Sequence, residues 1–292
     1  MKFTKKLGAV VVAASLACGL VVSAAPKSQA NLKTKESVIL QAGKSIERGV
    51  FMGTIRSIKL SKKGIVTVKK LSSTRLRVTG KKAGKVTVTI KTKSNPLYLY
   101  VTVKKPSFSC NSTLFTSQTS SGKFNSTVGI TVTNKSGIMV SSMTVNYELT
   151  DVTGTVVEAK SFYASYVGNN QTFYRLVDYS YKDTAIASVK VNVTDCSIYT
   201  GKYTDQNKNI TVNPTNQTDS SVSYTISNSA KKNVSGSVDV VFYDASGNII
   251  YVRNISLYMK PNETKTENIN FYLPQGTAIG NIQIYKRAYS TN

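Results

Sequence analysis

The chain has 292 residues and neither histidine nor tryptophan; it holds three cysteines, and 14 acidic residues stand against 38 lysines and arginines. The absence of histidine removes the commonest general base and the commonest metal ligand. No other catalytic constellation is recognisable, so the expectation is a non-enzyme with no cofactor and no metal site. Long apolar runs are also missing after the first 30 residues. Within those 30, Lys2, Lys5 and Lys6 precede an apolar run from Leu7 to Val22, and Ser28-Gln29-Ala30 places small residues where a signal peptidase reads. A run of roughly sixteen residues is short of the ~20 that cross a bilayer as a helix, so residues 1–30 read as a cleaved signal peptide rather than an anchor. The mature protein is then expected outside the cytoplasm, secreted or cell-wall associated, with no stable transmembrane insertion.

Cys18 falls inside the segment expected to leave, which leaves Cys110 and Cys196. Two cysteines of an exported protein are expected to form a disulfide. Such a bond would staple the two ends of the middle part of the chain, worth about 4–5 kcal/mol in the chain-entropy model. Two free or intermolecular thiols are the alternative.

Charge is placed unevenly. Residues 31–105 hold 19 lysines and arginines against Glu36 and Glu47, a net of +17, whereas residues 106–196 balance at zero and residues 197–292 carry +3. Ser, Thr, Asn, Val and Tyr dominate, the usage of pleated sheets and turns, and no amphipathic helix stands out. Val86, Val88 and Ile90 alternate with Lys85, Thr87, Thr89 and Lys91, the period of a half-buried strand. Residues 65–69, 75–79 and 98–103 repeat it, with Gly80 and Gly84 bounding a turn. Short strands at such spacing predict a sandwich.

Ser61-Lys62-Lys63-Gly64-Ile65-Val66-Thr67-Val68 and Val78-Thr79-Gly80-Lys81-Lys82-Ala83-Gly84-Lys85-Val86-Thr87-Val88-Thr89-Ile90 resemble the second half of a bacterial immunoglobulin-like domain of group 2. The resemblance covers residues 33–104. It departs from the family where Lys59 and Leu60 replace a common tryptophan. It implies a sandwich found on bacterial surface proteins and adhesins and as a spacer in secreted enzymes; it implies no particular ligand.

Residues beyond 105 contain a repeat. Asp151-Val152-Thr153-Gly154 matches Asp244-Ala245-Ser246-Gly247 at an offset of 93, which also aligns Tyr147 with Val240, Leu149 with Phe242, Ile186 with Ile279 and Val189 with Ile282; Val132-Thr133-Asn134 matches Ile226-Ser227-Asn228 at 94. The stretch from Val240 to Ile250 resembles the signature of FxLYD-type domains, immunoglobulin-like sandwiches of bacterial secreted proteins, and it implies no activity. The expected architecture is all-β: three tandem immunoglobulin-like β-sandwich domains (31–105, 106–196 and 197–292) behind the signal peptide, on a protein of a Gram-positive type of bacterium.

Candidate functional residues concentrate in the basic region: Lys62, Lys63, Lys69, Lys70, Arg75, Arg77, Lys81, Lys82, Lys85 and Lys91. Arg75 and Arg77 share the solvent face of one strand, Lys85 and Lys91 that of the next, and pairing of those strands would make one basic sheet face. Lysines also keep sheets soluble and edges unpaired, but +17 in about 75 residues costs self-repulsion that a polyanion would relieve. The partners expected are anionic cell-wall polymers or acidic glycans. Nucleic acid is not expected, since export separates the two and no aromatic residue interrupts the basic run between Ser57 and Thr92. Phe162, Tyr163, Tyr166, Phe173, Tyr174, Tyr179 and Tyr181 crowd the middle region, where core and cross-strand pairing is the first explanation and sugar stacking the second. Asp244 to Asn248 reads as a hairpin turn, lacking the further carboxylates a calcium shell needs. The expected role is binding and structural: the basic domain docks on an anionic envelope polymer and the repeated sandwiches space or present a partner site. The alternative is a carbohydrate-binding or adhesin protein with its site on the two repeats.

Overall fold

The computed structural model describes residues 33–51, 53–274 and 277–291, so the expected signal peptide lies outside the described residues. Apart from one 3-10 turn at Asn207–Asn209, every regular element among them is a strand. No helix of the described residues is long and apolar enough to cross a membrane. The strands build six sheets that pair off into three two-layer stacks, an all-β sandwich-type fold.

The N-terminal stack comprises β1 (Lys35–Gln41), β2 (Ser45–Gly49), β3 (Ser57–Leu60), β4 (Val66–Lys70), β5 (Arg75–Gly80), β6 (Gly84–Lys91) and β7 (Leu97–Lys104). They form one sheet in the order β1-β7-β6-β3 and a second in the order β2-β5-β4, with β1 running parallel to β7. Alternation decides which side chains go inside. Leu76 and Val78 from β5 meet Val86, Val88 and Ile90 from β6 and Leu99 and Val101 from β7 in one core, each such side chain worth about 1.5–3 kcal/mol once buried.

The middle stack contains β8 (Phe108–Gln118), β9 (Phe124–Asn134), β10 (Val140–Asp151), β11 (Val156–Val167), β12 (Thr172–Lys182) and β13 (Ile186–Ile198). The C-terminal stack contains β14 (Tyr203–Asp205), β15 (Ile210–Gln217), β16 (Ser221–Asn228), β17 (Val234–Tyr243), β18 (Ile249–Met259), β19 (Thr264–Asn270) and β20 (Asn281–Thr291). The middle orders, β11-β10-β13 and β12-β9-β8, recur as β18-β17-β20 and β19-β16-β15, with β14 added beside β20. The sequence repeat is therefore a repeat of topology.

Its details coincide down to single bonds. Asp151 Oδ1 accepts the amides of Thr153 and Thr155 at 2.9 and 3.0 Å, and Asp244 Oδ1 accepts those of Ser246 and Asn248 at 2.9 and 2.8 Å. Gly154 and Gly247 close these turns at φ of 84° and 83°, a left-handed conformation that costs glycine least. The second shared device is a buried asparagine. Asn134 Nδ2 donates to the carbonyls of Ile138 and Val167, both at 2.8 Å, and Oδ1 accepts the Ser136 amide; Asn228 does the same with Lys260 and Ala230. Each amide satisfies backbone groups that burial would otherwise leave unpaired.

The two repeats are not strung end to end. The outer face of the β12-β9-β8 sheet packs on the outer face of the β14-β20-β17-β18 sheet, through Tyr174, Leu176, Val241, Tyr243, Ile249, Val252 and Tyr285. Two strands are consequently buried on both faces: residues 126–130 of β9 and 238–242 of β17. Gly129 sits at the tightest approach, where a Cβ would lie 2.4 Å from that of Ile249. Tyr174 stacks on Tyr285 with centroids 4.3 Å apart, and the Ile249 amide donates to Thr113 Oγ1 at 3.1 Å. At the interface lies a buried ion pair, Arg287 Nη2 2.9 Å from Asp239 Oδ2, with the guanidinium also over the Phe173 ring at 5.0 Å. Burial raises the Asp239 pKa, and Arg287 works against that rise.

The N-terminal stack joins the middle one through fewer contacts. Gln41 donates from Nε2 to the Cys196 carbonyl at 2.9 Å and accepts the Ile198 amide at 3.1 Å, and Lys104 Nζ lies 3.5 Å from the Gly137 carbonyl.

Removing Arg287 leaves a carboxylate in a site closed to water. Arg287→Ala should cost about 3–5 kcal/mol in urea unfolding at neutral pH, and Asp239→Leu combined with Arg287→Met should recover most of that loss. Equal destabilisation by the single and double variants would show that the pair is not what holds the site.

Candidate polyanion-binding surface

The basic residues do not form a single face. β5 and β6 belong to different sheets, so Arg75 and Arg77 lie on one side of the N-terminal stack and Lys85 and Lys91 on the other. The glycine-bounded turn between these strands looks like a hairpin in sequence but crosses between the layers. The expectation of one shared basic sheet is corrected accordingly.

On the β2-β5-β4 side, Glu47 takes both arginines, with Arg75 Nη2 2.8 Å from Oε2 and Arg77 Nη2 2.6 Å from Oε1. Lys69 stands opposite Arg77 in the β4-β5 register and is exposed, whereas Lys70 turns back and donates to the Ile55 carbonyl at 2.8 Å. Glu36, the other acid of this stack, meets Arg48 at 2.9 Å. Both acids are thus engaged by arginines, and such partly exposed pairs are each worth only about 0–1 kcal/mol.

Lys62, Lys63, Lys81 and Lys82 are brought together. The amides of Lys81 and Lys82 donate to the Ile65 carbonyl at 2.8 and 3.2 Å, which pins the β5-β6 turn against the β3-β4 turn. All four lysines are exposed. The result is an end cluster of four exposed lysines on two neighbouring turns.

Cys110 and Cys196 are unbonded and half-buried. The two lie on strands of opposite sheets, Cys110 on β8 and Cys196 on β13. Cys110 on β8 lies near Val193 of β13, three residues before Cys196. The Cys196 sulfur meets Gln41 Nε2 at 3.9 Å instead. Burial raises the pKa of both thiols, which disfavours the thiolate needed for reaction.

The aromatic residues of the middle stack divide. Tyr174 and Tyr179 are buried, Phe162 and Phe173 stack at 5.7 Å, and Tyr163 and Tyr181 stand 77% and 74% exposed. At the 244–248 turn the aspartate oxygens are filled by amides and by Asn248 Nδ2 at 2.9 Å, the arrangement of a turn. Among the described residues no three of His, Cys, Asp and Glu gather as metal ligands. The concavities are shallow. One, lined by Glu47, Arg48, Val50, Phe51 and Arg75, adjoins the basic surface; another is lined by Tyr243, Asp244, Gly280 and Gln283.

No family model matches the chain, and no curated protein matches it. Among solved structures, the dimeric latent PorU of Porphyromonas gingivalis aligns with 89% of the chain at 9% identity and a TM-score of 0.18. The chain spans about a third of that protein's length, 32%. So low a score leaves the surface to be read on its own geometry.

Two measurements check this description. Alkylation after denaturation without reductant should label both Cys110 and Cys196, whereas a protein with a closed bridge would label neither. The turn aspartates contribute to the acid limb of stability, alongside Glu158, Asp183 and Glu263, whose pKa values are also lowered. The Thr153 hydroxyl and then backbone amides lower the Asp151 pKa; partial burial pushes Asp244 up, but the hydrogen bonds of Asn248, Ser246 and Gly247 outweigh it and lower the net value. A lowered folded pKa contributes stability above the unfolded value, near 3.9, that is lost as pH falls through the folded value. Asp151→Asn with Asp244→Asn should therefore flatten the acid-side decline in melting temperature, and an unchanged slope would place that decline elsewhere.

Proposed function

We propose that the protein is an exported, non-enzymatic binding protein whose N-terminal stack docks on an anionic polymer of the cell envelope, while the two repeats act as a coupled body that spaces or presents a partner site. The observation that carries this reading is the end cluster of Lys62, Lys63, Lys81 and Lys82 on a stack whose only two acids already face arginines. Four adjacent ammonium groups repel one another, and a chain of phosphates or carboxylates relieves that repulsion. Lysine suits such a partner, since its point charge needs no fixed geometry and tolerates a flexible polymer. The resemblances to bacterial surface modules agree with this role. The absence of histidine leaves an enzyme little to work with.

A second reading places a carbohydrate site on the repeats, and the exposure of Tyr163, Tyr181, Tyr258 and Tyr272 is what favours it. Rings so exposed contribute little to the core and are available for contact.

Sedimentation of residues 31–292 with purified Gram-positive walls separates the two. Retention at low salt should fall steeply between about 50 and 200 mM, as expected for counterion release. Lys62→Glu, Lys63→Glu, Lys81→Glu and Lys82→Glu together should abolish it without lowering the melting temperature. Retention that ignores both salt and these substitutions would sink the first reading and favour the second.

A further inference from the structure

The other sheet of the N-terminal stack carries a face that the basic run alone does not reveal. In the order β1-β7-β6-β3, Lys35 stands opposite Tyr98, Tyr98 opposite Thr89, and Thr89 opposite Lys59, one row across four strands. The next row sets Ser37, Tyr100 and Thr87 side by side. Lys85 and Lys91 flank these rows on β6, and no acidic residue occupies the face. Strand spacing sets Lys35 and Lys59 about 14 Å apart, and six residues of rise set Lys85 and Lys91 about 20 Å apart. Lys35, Lys59, Lys85, Lys91 and Tyr100 are all exposed, Tyr100 by 41%.

A sheet face with two tyrosines on an inner strand, Tyr98 half-buried and Tyr100 exposed, hydroxyls on the strands beside them and ammonium groups around them has the complement of a particular polymer. We infer that this face binds an acidic polysaccharide, whose sugar rings lie on Tyr98 and Tyr100 and whose carboxylates meet the surrounding lysines. The inference rests on the proposed polyanion role and names the polymer class within it. A polyol or polyphosphate chain offers charge for the lysines but no ring face for the tyrosines, so it uses only half of what the surface presents. Aromatic side chains pair an apolar face with a polar edge, as a sugar does. Single-stranded nucleic acid also combines rings with anions and is therefore one arm of the test.

Binding of residues 31–292 is measured at low salt to polygalacturonate, to inorganic polyphosphate and to oligothymidylate. The variants are Tyr98→Thr with Tyr100→Thr, a substitution that keeps strand propensity, and Lys85→Gln with Lys91→Gln; circular dichroism and melting temperature control for folding. The tyrosine variant should weaken polygalacturonate binding about tenfold, the effect of two modest ring contacts, and leave polyphosphate within about twofold. The lysine variant should weaken both. If polygalacturonate binding is indifferent to the tyrosines, or if oligothymidylate binds more tightly and depends on them, the inference is overturned while the polyanion role stands. If no polymer binds, both fall together.

Discussion

Face-to-face contact between the β12-β9-β8 and β14-β20-β17-β18 sheets is the constraint on which the arrangement of the two repeats depends. A sandwich ordinarily buries one face of each sheet and leaves the other to water. Here two sheets are covered on both sides, and β9 and β17 must supply apolar or satisfied groups at consecutive positions. At Gly129 the solution is to have no side chain at all, since Ile249 occupies the space. At Asp239 it is a charge matched by Arg287 and by Asn254. Both partners belong to the β14-β20-β17-β18 sheet, Asp239 on β17 and Arg287 on β20, so the contact with the β12-β9-β8 sheet covers a pair already formed, one that adds little net stability over an apolar pair of the same size.

The same constraint explains how differently the three stacks use charge. The repeats spend their outer faces on each other and are nearly neutral, as surfaces that must approach closely have to be. The N-terminal stack gives up no sheet face in this way; its link to the middle stack runs through Gln41, which caps the end of β13, and through Lys104. It carries a net +17 beside neighbours whose charges nearly cancel, to zero over residues 106–196 and +3 over residues 197–292. Concentrating the cations in one stack keeps their repulsion out of the packed interface and directs it toward solvent, where a polymer can neutralise it.

Much of the fold was legible in the residues, and the failures share a cause. Alternation at 85–91 and 75–79 located strands, and the offset of 93 located a topological repeat, because both signals are local or self-referential. The run Val238-Asp239-Val240-Val241-Phe242 broke the alternation; a strand covered on both faces has no polar side to show. The expected basic face failed because adjacency in sequence was taken for pairing in space: β5 and β6 follow one another across a short turn but lie in different layers. The end cluster and the row from Lys35 to Lys59 join residues from separate turns and strands, so their grouping shows only once the strands are paired. The cysteines, expected just outside the first and last strands of the middle stack, instead lie within β8 and β13, on opposite sheets.

Splitting the cations between two sheets and one end also changes what the stack can recognise. At physiological ionic strength a charge is felt over about 8 Å, less than the distance across the β1-β7-β6-β3 face. The lysines of that face, about 14 and 20 Å apart, therefore act as separate points of charge rather than as one field. A small anion would meet one patch at a time and gain little from the others. An extended polymer crosses several in succession, and each contact raises the effective concentration of its next segment at the following patch. Under the proposed polymer-binding role, selectivity for long chains over small ions would follow from the placement of the lysines, and the tyrosines would set where along the chain the polymer rests.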